Sequence, residues 1–89
     1  MQIEILLAEY EKKLILQRYS KNSILNYKSA VKSFLQIAEQ KFSSPDEIGV
    51  VEIVKYFFWK FKKHAVSHSY QRMIVASIDN FTNWWLERN

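Results

Sequence analysis

An all-α domain, a compact bundle of four helices, is the fold this sequence predicts. Three observations predict it. The 89 residues include one glycine (Gly49) and one proline (Pro45), too few for the turns that a sandwich or barrel needs about every 8–12 residues. Apolar residues recur at steps of three and four along most of the chain, the spacing of one helix face. Serine-rich clusters at 20–23 and 67–69 supply N-capping side chains just ahead of two such stretches.

The first helix is placed at about 3–17. Ile3, Leu6, Leu7, Tyr10 and Leu14 form its apolar stripe, with Glu4, Glu9 and Glu11 early and Lys12 and Lys13 later, the order the helix dipole prefers. The second, at about 22–40, buries Ile24, Tyr27, Val31, Phe34, Leu35 and Ala38. Its other face shows Asn22, Asn26, Ser29, Lys32, Ser33 and Gln36, with no acid before Glu39. A solvated helix usually mixes Glu with Lys, so an acid-free face suits an anionic partner. Residues 41–49 form the main loop. The third helix, at about 50–63, is apolar nearly all round, from Val50 through Phe61, which places it centrally or under a cover. The fourth, at about 68–87, follows a Ser67 or Ser69 cap. Its core stripe is Tyr70, Ile74, Ser77, Ile78, Phe81 and Trp85, with Arg72, Asp79, Thr82, Asn83 and Glu87 outward. Tyr27, Phe34, Phe57, Phe61, Phe81 and Trp85 read as core aromatics. Tyr56, Trp59 and Trp84 fall off the main stripes and mark a possible protein interface.

Charge is segregated. The net charge is +4, and two blocks hold the positive excess. Residues 18–41 carry Arg18, Lys21, Lys28, Lys32 and Lys41 against Glu39. Residues 60–72 carry Lys60, Lys62, Lys63 and Arg72 with no acid. Such blocks are a modest footprint of nucleic-acid binding, although lysines at the end of the third helix also suit its dipole.

Other chemistries lack their residues. The absence of cysteine removes disulfides, thiolate metal sites and thiol nucleophiles, and fits a reducing compartment. One glycine cannot build a phosphate-cradling loop. His64 and His68 stand four apart, but a helix break is expected between them, so they do not read as a metal pair. Ser67 and Ser69 read as caps rather than nucleophiles. No cofactor and no catalysis are expected of this chain. Apolar runs such as Tyr56–Trp59 fall far short of the ~20 residues of a membrane span, and the start lacks a signal peptide's basic region. A cytoplasmic, non-membrane domain spanning 1–89 is expected.

The order of motifs resembles a known family. Tyr19-Ser20-Lys21-Asn22-Ser23-Ile24-Leu25-Asn26-Tyr27, followed by Val31 and Phe34-Leu35, is similar to the opening helix of the core-binding, SAM-like domain of tyrosine recombinases, the phage integrases. Glu52-Ile53 and Tyr56-Phe57 stand where that family has an acidic-apolar pair and an aromatic. Ser67-His68-Ser69 followed by Val75–Phe81 is similar to its apolar-Ser-Ala-Leu-x-x-Phe run. The resemblance covers about residues 10–88. Asp79 departs from a frequently basic position, Tyr70 from a frequent Thr, and Gly49 from a common Thr.

The resemblance implies double-stranded DNA as partner, gripped by one half of a C-shaped clamp. The other half is a separate catalytic domain with an Arg, a His-x-x-Arg box and a nucleophilic Tyr. His68 and Arg72 have the wrong spacing for that box, so the chain is expected to be the non-catalytic part of a longer recombinase. A multimer on DNA and an isolated monomer are expected. The N-terminal turns of the second and fourth helices offer unsatisfied N–H groups to phosphate. Lys21, Asn22, Ser23, Asn26 and Lys28 surround one turn, with Lys32 a further candidate along the same helix, and Ser67, His68, Ser69, Gln71 and Arg72 surround the other. Lys60, Lys62 and Lys63 add attraction. Two rival readings are a protein-interaction bundle using Tyr56, Trp59 and Trp84, and a small helix-turn-helix regulator. The latter wants a tight turn, typically with Gly, where this chain has none.

Overall fold

In a computed structural model, which describes residues 1–88, each expected helix is present within two residues of its predicted ends. The order is α1 (Ile3–Leu16), α2 (Lys21–Ala38), α3 (Val50–Lys63) and α4 (His68–Glu87), with no strand among the described residues. The Cα radius of gyration, 12.6 Å, is near the ~12 Å of a single packed chain of this length.

Local chemistry sets the ends. α1 stops where Arg18 takes a left-handed φ of 61°. The Tyr19 N–H then reaches the Leu14 carbonyl and the Arg18 N–H that of Ile15, the paired bonds of a Schellman ending. Ser20 caps α2 by accepting from the Ser23 N–H at 3.1 Å. Ser67, rather than Ser69, caps α4 by accepting from the Tyr70 N–H at 3.2 Å. The expected loop at 41–49 contains a 3-10 turn, Pro45–Glu47. There the Glu47 carboxylate accepts from the Ser43 and Ser44 N–H groups, so it is a cap as well as a solvated charge.

The core is made mainly by α1, α2 and α4, joined by Ile53 and Tyr56 of α3. Leu6, Leu7, Tyr10 and Leu14 meet Ala30, Val31, Phe34 and Leu35, with Ile74, Ile78 and Phe81. At ~25 cal/mol per Å² of apolar surface removed from water, this stripe-to-stripe burial is the main drive to fold. One polar cluster ties α1 and α4 to the α1–α2 connection. The Tyr10 hydroxyl donates to Asn80 Oδ1 at 2.9 Å, Lys13 Nζ donates to the same oxygen at 2.7 Å, and Asn80 Nδ2 donates to the Tyr19 hydroxyl at 3.2 Å. Farther out, Arg88 pairs with Glu9 at 2.7 Å and lies over the Trp84 and Trp85 rings.

α3 is where expectation and structure part. It is peripheral, burying only Ile53 and Tyr56. Tyr56, expected on an outer patch, is 7% exposed and packs edge-on to Phe34 with ring centroids 5.0 Å apart. Trp84, also expected outside, packs against Tyr10 and Phe81. Only Trp59 of that trio is exposed. Apolar side chains spread over more of α3's circumference than its neighbours can cover, so packing rather than its own pattern decides which of them face in. Trp85 is half-buried and donates from Nε1 to Asp46 Oδ1 at 2.7 Å.

Candidate nucleic-acid interface

α2 carries two polar faces, not one. A rotation of 100° per residue aligns Asn22, Asn26, Ser29 and Ser33 on one stripe and Lys21, Lys28 and Lys32 on another, about a quarter-turn away. The lysine stripe looks toward α1. Lys28 Nζ meets Glu11 at 3.0 Å and Lys32 Nζ meets Glu4 at 3.3 Å. The face read as acid-free from its own helix is therefore partly neutralised by acids seventeen and twenty-eight positions away in the chain. Lys28 is half-buried in the helix–helix contact, while Lys32 pairs across it but stays exposed. Lys21, at the first turn, stays exposed.

The amide–hydroxyl stripe looks elsewhere. Ser29 and Ser33 line a small notch with Lys60 of α3 and Tyr70 and Ile74 of α4. Its volume, about 40 Å³, has room for a water or a phosphate oxygen and not for an organic ligand. Tyr70 was expected in the core, yet it is 47% exposed. The core stripe of α4 runs off the packed region at its first turn, leaving Tyr70 at the rim. Tyr70, Ser29 and Ser33 are missing from the sequence-derived candidates. Their signal was present for the serines, on the polar stripe, and absent for Tyr70, whose spacing reads as core.

A second, open cleft lies on the other side of the C-terminal end of α3. Phe61, His68, Gln71, Arg72, Val75, Ala76 and Asp79 line it. His68 and Arg72 are exposed there, and Gln71 Nε2 reaches the Val66 carbonyl at 3.5 Å. Asp79 supplies an acid that lowers the positive potential of its far wall. The start of α4 is thus flanked by both clefts, with Lys60 in one and His68 and Arg72 in the other.

The remaining candidates divide. Asn22, Asn26 and Ser69 are exposed, and Ser23 is half-buried with its N–H on the Ser20 cap. Ser67 is exposed but its hydroxyl is engaged as the α4 cap. Helix geometry leaves the first two N–H groups of each of these helices to solvent or a ligand. Lys62 is exposed, while Lys63 lies over the Trp59 ring, 5.5 Å from its centroid.

Among the described residues no group of His, Asp and Glu is placed to hold a metal ion, and no helix is long and apolar enough to cross a membrane. Residues 6–89 match the family model of the phage integrase N-terminal SAM-like domain. Neither a curated protein nor a solved structure matches the chain.

Proposed function

The chain belongs to the family of phage integrase N-terminal SAM-like domains, and from that premise we propose that it binds double-stranded DNA as the core-binding half of a site-specific tyrosine recombinase, positioning a separate catalytic domain. The observation that carries this reading is the meeting of three elements at one place. Ser29 and Ser33 of α2, Lys60 of α3 and Tyr70 near the start of α4 line one polar notch, whereas the N-terminal turn of α2, with Asn22 and Asn26, lies toward the other end of α4, where Tyr19 meets Asn80. The serine and tyrosine hydroxyls and the Lys60 ammonium there are donors that phosphate oxygens accept from.

Contacts of this kind fix position on the duplex and carry little sequence information. Asn26, Gln71 and Arg72 are the side chains suited to base edges, with Arg72 matched to guanine and the amides to adenine. Lys21, Lys60, Lys62 and Arg72 are the candidate cations without an acidic partner on α1, whereas Lys28 and Lys32 pair with Glu11 and Glu4. About four contacts give a slope of log K against log salt near −4, at roughly −0.9 per contact. The affinity of the domain alone falls in the weak range of about 10⁻⁴–10⁻⁶ M.

Fluorescence polarisation with a labelled duplex at a series of salt concentrations tests this. Binding that weakens with salt at about that slope, and that drops in Lys21→Ala and Arg72→Ala with helical content intact, supports it. No binding, or binding indifferent to salt, removes the DNA reading.

A further inference from the structure

Three helices meet at the small notch, and each gives it two residues one turn apart: Ser29 and Ser33 of α2, Tyr56 and Lys60 of α3, and Tyr70 and Ile74 of α4. Tyr56, read from the sequence as part of a protein interface, is 7% exposed, and its ring lies against Phe34 and Trp59. Its hydroxyl has a different setting. Every enclosed side-chain polar atom among the described residues has a hydrogen-bond partner, yet the Tyr56 hydroxyl bonds to none of those residues. It therefore lies at an opening. Burial first, and then the nearby Tyr70 phenol, raise its pKa, so the two hydroxyls share the notch that both residues line.

The other donors are in the same state. The Ser29, Ser33 and Tyr70 hydroxyls and the half-buried Lys60 ammonium make no hydrogen bond or ion pair with the described residues. A deeply placed donor without an acceptor is rare in a folded protein, and here five polar groups around one notch await an acceptor from outside. No carboxylate lines the notch, so the ammonium sets the sign of what enters, and an ionised acceptor makes the stronger bond. Size sets its shape. About 40 Å³ admits one oxygen atom and not a whole anion. The ligand is an oxygen projecting from a larger body, as a non-bridging phosphate oxygen projects from a nucleic-acid backbone. We propose that the notch seats one backbone phosphate oxygen of the DNA duplex, with the Tyr56 hydroxyl as the donor at its floor. The inference rests on the DNA reading above and adds to it a neutral, buried contact that fixes the domain's position on the duplex.

Tyr56→Phe isolates the contact, because it keeps the packed ring and removes only a hydroxyl that bonds to nothing in the described chain. Fluorescence polarisation with a labelled duplex over a salt series reads the effect. Affinity should fall about tenfold at every salt concentration, with the slope of log K against log salt unchanged, since a neutral donor displaces no counterion. The urea midpoint should match that of the wild type, which a hydroxyl with a structural role would not allow. Wild-type affinity in Tyr56→Phe overturns the seat and leaves the DNA reading standing, whereas a wild-type chain that binds no duplex removes both. If inorganic phosphate shifts the amide NMR signals of Ser29, Ser33 and Tyr70 while Tyr56→Phe binds duplex normally, the notch serves free phosphate and its assignment to DNA is overturned. Should Tyr56→Phe lower the urea midpoint, Tyr70→Phe decides: unchanged DNA affinity in it overturns the proposal.

Discussion

Arg18 occupies a backbone conformation that its side chain opposes. Its φ of 61° costs an L-residue about 1–2 kcal/mol relative to glycine, part of which glycine returns through its looser unfolded chain. Arg18→Gly should therefore stabilise the fold by about 0.5–1 kcal/mol, read as a higher denaturant midpoint at constant slope. Asn80 makes the opposite case. Its side-chain oxygen accepts from both Tyr10 and Lys13, and its amide donates to Tyr19. Tyr10 is fully buried, and without Asn80 its hydroxyl keeps only the Ser77 carbonyl at 3.3 Å. Asn80→Leu, close in size, should cost about 1–3 kcal/mol by loosening α1 from α4 in urea unfolding.

At the scale of elements, α2 separates structure from binding by face. Its lysines at 28 and 32 pair with α1, and Ser29 and Ser33 look toward Lys60 and Tyr70. Lys21→Ala and Lys60→Ala should each flatten the salt dependence of DNA binding by about 0.9. Lys28→Ala should leave that slope unchanged and cost at most about 1 kcal/mol of stability, since the pair with Glu11 is partly exposed. Equal loss of slope in all three would place DNA against the lysine face instead. α4 depends on its serine in the same local way. Ser67→Ala removes the acceptor for the Tyr70 N–H and should cost about 1 kcal/mol, seen as faster hydrogen exchange in the first turn.

The whole molecule responds to alkali through its buried tyrosines. Burial pushes the Tyr10 and Tyr27 hydroxyls up and raises that of Tyr56 from 10.0 to about 12. Above pH 10.0 the unfolded tyrosines lose their protons while the folded ones keep theirs, so the folded state binds more protons and stability falls as pH rises. Tyr56 contributes this loss up to about pH 12. Lys13 works in the other direction, because burial lowers its pKa from 10.5 and the unfolded chain holds that proton longer. Three tyrosines outweigh one lysine. Melting temperature should fall above pH 10.0, less steeply in Tyr56→Phe. A flat profile would mean that the tyrosines are hydrated in the folded state.

Much of the fold was legible because its determinants are local. Periodicity placed the four helices, the serine clusters at 20–23 and 67–69 marked two starts without choosing between Ser67 and Ser69, and of the stripes of α1 and α2 all residues but the half-buried Ile3, Ile24 and Tyr27 are buried. The polar stripe of α2 and the basic start of α4 were legible as candidates for the same reason. The sequence by itself determined which segments are helical, where they cap, and that positive charge collects in two blocks. Only the tertiary structure decided that α1's acids pair with Lys28 and Lys32, that Tyr56 points in and Phe58 out, and that Tyr70 closes a notch with Ser29, Ser33 and Lys60. Those outcomes depend on how helices cross. Crossing is set by side chains far apart in the chain meeting in space, and a helix apolar or polar on several faces does not carry that information along its own length.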